Sequence, residues 1–149
     1  MKIFVLLAAM QALVAGQPTR IPAPTITMLV AQNDFLKLSW TKVESVSSND
    51  PIKGYIVIVW QIPDETVSHY KIVDGKTVVV EEKKTPKLDP TKIPSGTPRE
   101  IKLADADVTT TLIDNIQIDV LYHIRVLAYT STQEGELSDR AEIKLSHTQ

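Results

Sequence analysis

The sequence contains no cysteine. Disulfides therefore cannot hold the domain together, which excludes cystine-knot, EGF-like and cysteine-bridged immunoglobulin architectures. Thiol catalysis and zinc sites built from cysteine are excluded for the same reason. The chain must rely on an apolar core, and 43% hydrophobic residues among 149 are enough to build one domain.

The chain also lacks a large excess of either charge. Its formal net charge is -2 at pH 7. A protein that coats nucleic acid or anionic lipid needs a strong basic excess, so nucleic acid is not expected as a partner. There is no Asn-x-Ser/Thr motif, so N-glycosylation is not expected either.

The N-terminal segment has the pattern of a secretory signal peptide. Lys2 precedes an apolar run from Ile3 to Val14, and small residues follow up to Gly16. The run is too short to span a bilayer comfortably. We therefore expect residues 1–16 to be removed and the product to be secreted, extracellular and not membrane-spanning.

After this segment the sequence predicts a β protein. Residues 17–24 contain three prolines, which favours an extended lead-in to a folded domain at residues 25–149. Alternating or β-branched stretches predict several strands, and Asp74-Gly75 predicts a tight hairpin turn. The predicted strands are 36–40, 54–62, 67–73, 76–82, 99–103, 108–113, 121–130 and 137–145. No internal repeat or later helix is expected, and short strands with turns predict a sandwich or a small barrel.

A proline-spaced segment interrupts this series. Pro86, Pro90, Pro94 and Pro98 recur every four residues, which predicts a long loop from Lys83 to Pro98. The segment is basic, and it is either a solvated loop or a contact surface for an acidic glycan. Its candidate binding residues are Lys83, Lys84, Lys87 and Lys92.

The order and spacing of these stretches resemble a fibronectin type III domain, most closely the modules of contactin-like neural adhesion proteins. The resemblance runs from Pro22 to Leu145. Trp40 matches the family's buried tryptophan of strand B, Tyr55 lies in the strand C pattern, and Tyr122 matches the tyrosine corner before strand F. Two departures are Ile118-Asp119 in place of Pro-Gly and a long connection between strands C and E. The resemblance implies an all-β, immunoglobulin-like β-sandwich of about seven strands, with the hairpin and the Pro-rich loop inserted between strands C and E.

Strand alternation predicts two faces for this sandwich. Tyr55, Val57 and Val59 are expected to face the core with alternate residues of strand F. The outer face then carries Ile56, Ile58, Trp60, His123, Arg125, Leu127 and Tyr129. This apolar face is a partner site, a surface covered by the inserted hairpin or by self-association, or a set of scattered exposed residues. Arg125 is in a position to stack on Trp60.

The sequence offers no catalytic constellation. His69, His123 and His147 belong to no metal-ligand or triad motif, and His123 is expected to be an ordinary surface residue. Asp105 and Asp107 lie in an expected turn, where aspartate is favoured without any metal. No catalytic residue, metal or cofactor is therefore expected.

The sequence predicts a secreted, non-catalytic module that binds an extracellular protein. Binding would use the outer face of strands C and F or the loops at one end of the sandwich, and the resemblance implies adhesion-like or receptor-like recognition. The alternative is a secreted protein that binds glycosaminoglycan or another carbohydrate through the basic loop. Salt dependence of binding would distinguish the two.

Overall fold

A computed structural model describes residues 20–146, so the predicted signal peptide lies outside the described residues. Within them the chain is all-β and contains no helix long and apolar enough to cross a membrane. The strands are β1 (Ile26–Gln32), β2 (Phe35–Trp40), β3 (Gly54–Pro63), β4 (Glu65–Val73), β5 (Lys76–Lys84), β6 (Arg99–Leu103), β7 (Thr110–Ile113), β8 (Val120–Tyr129) and β9 (Ala141–Lys144).

Seven of these strands form two packed antiparallel sheets. One sheet has the order β1-β2-β7 and the other β6-β3-β8-β9, while β4 and β5 pair only with each other. This arrangement confirms the predicted immunoglobulin-like β-sandwich of about seven strands. It also confirms that a hairpin and a long connection are inserted after strand C, which is β3.

The core lies between the two sheets and follows the predicted alternation. Leu36, Leu38 and Trp40 of β2 pack with the inward residues of β3 and β8, and these residues are essentially fully buried. The Trp40 and Tyr55 rings lie 5.5 Å apart, and the Tyr55 hydroxyl accepts a 2.8 Å hydrogen bond from the Val43 N–H. The Tyr122 hydroxyl accepts a 2.6 Å bond from the Gln117 N–H, so it fixes the turn before β8.

Gly54 and Gly75 lie at positions where the backbone requires glycine, because of a close approach at Gly54 and a positive φ at Gly75. A Cβ atom on Gly54 would lie 1.9 Å from the Leu103 carbonyl oxygen, so only glycine lets β3 begin this close to β6. Asp74 and Gly75 have φ values of 54° and 74°, as a type I′ turn requires. The predicted Asp-Gly hairpin is therefore confirmed.

The lead-in and the Pro-rich loop belong to neither sheet. Residues 20–25 form no strand, but Ile21 is buried in the core and its carbonyl accepts a hydrogen bond from Glu136. The prediction that Lys83 and Lys84 belong to the Pro-rich loop is wrong, because both are the last residues of β5, paired with Thr66 and Glu65. The loop itself runs from residue 85 to residue 98.

Candidate functional site

The outer face of β3 and β8 lies where the alternation predicted it but is not an open apolar surface. The two strands pair directly, with Ile56 opposite Leu127 and Trp60 opposite His123. Ile56 is only 5% exposed and Trp60 only 6%, and Leu127 and Tyr129 are buried as well. Of the three interpretations of this face, an open partner surface and scattered exposure are therefore wrong for these four residues. Ile58 and Arg125 are half-buried.

Neighbouring side chains account for this burial. Ile56, Leu127 and Tyr129 form a second apolar cluster, against which Ile58 and Leu137 pack. The Lys102 ammonium lies 4.6 Å from the centre of the Tyr129 ring, a cation–π distance. Long side chains of the same sheet, together with the segment that precedes β9, thus cover the face from within the chain.

A polar network covers the Trp60 end of this face. The His123 ring stands edge-on to Trp60, with ring centres 5.4 Å apart. Arg125 Nε donates to His123 Nε2 at 3.0 Å, while its Nη1 donates to the Ser138 carbonyl at 3.1 Å. Strand alternation puts Arg125 in a position to stack on Trp60, but the ring that lies against Trp60 in the structure is that of His123.

His123 is a buried residue, and its expected surface position is wrong. Glu142 Oε2 lies 3.0 Å from His123 Nδ1, so Nδ1–H donates to the carboxylate while Nε2 accepts from Arg125. Only the neutral ring provides both roles. Burial is the main cause that lowers the pKa of His123 below its ordinary value of 6.5, and the positive charge of Arg125 adds to this effect, although the hydrogen bond to Glu142 opposes it.

The hairpin of β4 and β5 does not cover the outer face. A covering hairpin would bury one of its two sides, but every residue of these strands is exposed except Val67 and Val80, which are half-buried. Tyr70 is 75% exposed, Ile72 74% and Val79 59%. Five of the twelve exposed large hydrophobic residues in the described chain lie on this one hairpin. The inserted element is therefore the most exposed apolar surface that the structure describes.

The register of the hairpin assigns its residues to two sides. Tyr70 pairs with Val79 and Ile72 with Thr77 on one side, and Lys71 pairs with Val78 and His69 with Val80 on the other. Both sides thus combine exposed apolar and polar groups. Neither β4 nor β5 has a second neighbour, so each presents an unpaired strand edge.

The base of the hairpin is fixed to the sandwich by one lysine. Lys144 of β9 donates to Asp64 at 2.7 Å and to the Thr85 hydroxyl at 2.7 Å, which joins the two ends of the hairpin. The hydrogen bond to Lys144 is the main cause that lowers the pKa of Asp64. The hairpin is therefore held at a defined place, although its length is exposed.

The loops at one end of the sandwich are tied to each other. The Asp50 carboxylate, in the connection before β3, accepts hydrogen bonds from the hydroxyls of Thr130 and Thr132, which follow β8. These bonds lower the pKa of Asp50. Lys42 and Asp107 form a further 2.8 Å ion pair between two connections.

The predicted basic residues do not share one element. Lys87 and Lys92 lie in the Pro-rich loop, where Lys92 Nζ is 3.9 Å from Asp89, while Lys83 and Lys84 end β5. Arg99, the first residue of β6, is paired with Asp114. Lys92 and Arg99 thus already have acidic neighbours. Within residues 20–146 no three histidine, aspartate or glutamate side chains come together as metal ligands.

Comparisons with known proteins find the fold rather than a sequence family. No protein-family model matches the sequence, and no curated protein matches it at the significance threshold. A myokine structure superposes with a TM-score of 0.50 at 12% identity, over 85% of this chain and 99% of that chain. The FN1–FN3 domains of chicken CNTN1 superpose with a TM-score of 0.54 at 17% identity, over 85% of this chain and 33% of that chain. The twitchin kinase region from C. elegans gives 0.51 at 12% identity, over 86% of this chain and 17% of that chain.

These structures define the class: the chain has the fibronectin type III fold. The predicted resemblance is confirmed, with a contactin among the similar structures. The chain spans only 33% of the CNTN1 structure and 17% of the twitchin structure, so their whole-protein activities do not transfer.

The hairpin was predictable from the sequence, but the exposure of its apolar side chains was not. A signal was present in Val78-Val79-Val80, three successive β-branched residues that cannot all face one core. A strand with apolar residues on both sides is either buried between two layers or open to partners. The Asp74-Gly75 turn and the charged residues after Val80 do not show whether the strand is buried or open.

Proposed function

We propose that this protein is a secreted, non-catalytic module that binds a protein partner through the hairpin of β4 and β5. The observation that carries the proposal is the concentration of exposed apolar side chains on an element that has two unpaired edges and a fixed base. An isolated two-stranded hairpin is marginally stable in water, and added strands stabilise it. The partner would contribute an extended strand to a free edge, the mode known as β-augmentation.

The other predicted binding surfaces receive less support. The outer face has Ile56, Trp60, Leu127 and Tyr129 buried within the monomer, so a partner would first have to displace Lys102 or Arg125. The acidic-glycan alternative depends on lysines that are divided between β5 and the loop. The signal pattern in residues 1–16 is what supports the proposal of secretion. The resemblance in fold is what supports the proposal of an adhesion-like role.

Secretion is tested by expressing the full chain in a secretory cell line. We expect the protein in the medium, with its N-terminus at Gln17 after cleavage behind Gly16. Retention of the intact chain inside the cells would contradict the proposal.

Binding is tested with the purified protein against an array of extracellular proteins. The double variant Tyr70→Ser/Ile72→Ser removes the most exposed apolar side chains of the hairpin. The matched control, Met28→Ser/Val30→Ser, changes two exposed residues of β1. We expect the hairpin variant to lose about tenfold or more in affinity while the control keeps it.

Other outcomes of the same assay would assign binding to a different surface of the protein. Loss of binding in Arg125→Ala but not in the hairpin variant would overturn the hairpin in favour of the outer face. Loss in high salt together with Lys87→Ala/Lys92→Ala would favour the glycan-binding alternative.

A further inference from the structure

The free edge of β5 has a sequence that is complementary to itself. We propose that two copies of the chain pair antiparallel through their β5 edges, around a two-fold axis at Val79, to form one four-stranded sheet from two hairpins. This inference rests on the proposed function, because it names the partner of the hairpin.

The turn fixes which backbone groups of β5 are free. The two-residue turn makes Val73 and Lys76 a hydrogen-bonded pair, and such pairs alternate along an antiparallel ladder. Val78 and Val80 therefore direct their N–H and C=O groups toward β4. Thr77, Val79 and Glu81 direct theirs toward the free edge.

A two-fold axis at Val79 satisfies these free groups. Val79 then faces the partner's Val79, and Thr77 faces the partner's Glu81, so outward groups meet outward groups in both pairs. Any shift by one residue would place outward groups against inward ones. Only register shifts by two residues preserve the ladder, and each such shift moves the two-fold axis by one residue along β5.

The side chains favour this register among those that preserve the ladder. It places Val78 opposite the partner's Val80 and Lys76 opposite the partner's Glu82, and symmetry repeats both pairs. Moving the axis to Val80 would oppose Lys76 to the partner's Lys84, and moving it to Val78 would oppose Lys76 to the partner's Val80. Opposite charges directly across an antiparallel pair stabilise it, and like charges destabilise it.

The pairing also extends the two apolar sides of each hairpin. Tyr70 already lies across from Val79, so one side of the joined sheet would carry an unbroken row of two valines between two tyrosines. The other side would bring Val78 and Val80 of both copies together. These side chains are exposed or half-buried in the single chain, so pairing would remove apolar surface from water.

The edge of β4 offers no comparable register. The symmetric pairing that places Glu65 opposite the partner's Lys71 is centred on Ser68. It sets Val67 against the partner's His69 and Thr66 against the partner's Tyr70, without any pair of aliphatic residues. Charge and apolar complementarity therefore coincide on β5.

The test is a charge exchange measured by sedimentation equilibrium of the purified full chain at low salt. Lys76 and Glu82 are six residues apart on one strand, about 20 Å, so they cannot compensate each other within one copy. We expect Lys76→Glu and Glu82→Lys each to weaken the dimer about tenfold, because two pairs become repulsive in each case. The double exchange Lys76→Glu/Glu82→Lys restores opposite charges and should return the dimer to within about threefold of wild type.

The matched control is Lys53→Glu, which makes the same charge change at an exposed residue outside the hairpin and should leave the dimer unchanged. Tryptophan emission and circular dichroism confirm that each variant is folded. A wild-type chain that stays monomeric up to about 1 mM would overturn the self-pairing. A dimer that does not respond to the single exchanges, or is not rescued by the double exchange, would also overturn it.

Failure of the self-pairing is distinguishable from failure of the proposed function. If the chain is monomeric but Tyr70→Ser/Ile72→Ser still loses binding to another extracellular protein, the hairpin remains the binding element and its partner is not a second copy. If neither the dimer nor any binding depends on the hairpin, both proposals fail.

Discussion

Strand β3 and the inserted hairpin are built from similar residues but have opposite surroundings. β3 combines valines and isoleucines with Tyr55 and Trp60, and the hairpin carries five valines together with Tyr70 and Ile72. β3 pairs with β6 on one side and β8 on the other, and nearly all its apolar side chains are buried. β4 and β5 pair only with each other, and their apolar side chains are exposed.

This contrast shows that β-propensity indicates a strand but not its burial. The residues of β3 contact a second sheet on one face and long side chains of their own sheet on the other. The hairpin leaves the sandwich at Asp64 and returns at Thr85, and its two strands have no layer to pack against. Exposed apolar residues on such an element fit the proposed partner site and do not form a core.

The largest effect is expected from a matched pair of truncations. Ile124→Ala in β8 removes a side chain with no exposed surface, while Ile72→Ala removes one that is 74% exposed. We expect the free energy of unfolding to fall by about 2–5 kcal/mol for Ile124→Ala and by less than about 0.5 kcal/mol for Ile72→Ala. Urea denaturation at a dilution that keeps the chain monomeric measures both values. Equal losses would mean that the hairpin is packed on the sandwich.

A smaller difference is expected between two tyrosines. Tyr122→Phe leaves the Gln117 N–H, now bonded at 2.6 Å, without its acceptor. The expected loss is about 1–3 kcal/mol in the free energy of unfolding. Tyr70→Phe changes a hydroxyl on the exposed hairpin, and we expect no measurable loss in the same denaturation experiment. A neutral Tyr122→Phe would show that this hydroxyl does not stabilise the turn before β8.

The smallest expected effect is a decrease in the free energy of unfolding at acidic pH. Because the pKa of His123 is lower in the folded chain than its ordinary value of 6.5, the unfolded chain binds the additional proton. The contribution of His123 to stability is therefore complete above pH 6.5 and is lost as the pH falls below it. We expect the free energy of unfolding to decrease between pH 7.5 and about pH 5, before the aspartates titrate.

A histidine pair provides the control for this pH dependence. His123→Gln should flatten the decrease, whereas His69→Gln on the exposed hairpin should retain it. Denaturation curves at several pH values compare the slopes, so a uniform loss of stability in either variant does not affect the comparison. An unchanged slope in His123→Gln would assign the pH dependence to other groups.

Much of the fold was predictable because it depends on local patterns. Alternation placed Tyr55, Val57 and Val59 in the core, and Asp74-Gly75 specified the hairpin turn. The covering of the outer face was not predictable, because it depends on residues from other parts of the chain. Lys102 lies over the Tyr129 ring, and Leu137 packs against the outer apolar cluster.

The other errors have similar causes. His123 was expected at the surface because alternation gives the face of a residue but not what lies over it. The charge of Lys83 and Lys84 and the nearby prolines predict a loop, although both residues end β5. An edge strand tolerates such residues, since their side chains remain in water.

Residue-resolved amide exchange of the dilute, monomeric chain tests the central contrast most directly. We expect slow exchange for Ile56 and Ile58 and intermediate exchange for Val78 and Val80. Exchange should be fast for Thr77 and Val79, whose N–H groups face the free edge. Protection of Thr77 and Val79 should then appear as the protein concentration is raised. If Val79 in the dilute chain exchanges as slowly as Ile56, the edge is already covered within one copy, and the hairpin is not the free binding element described above.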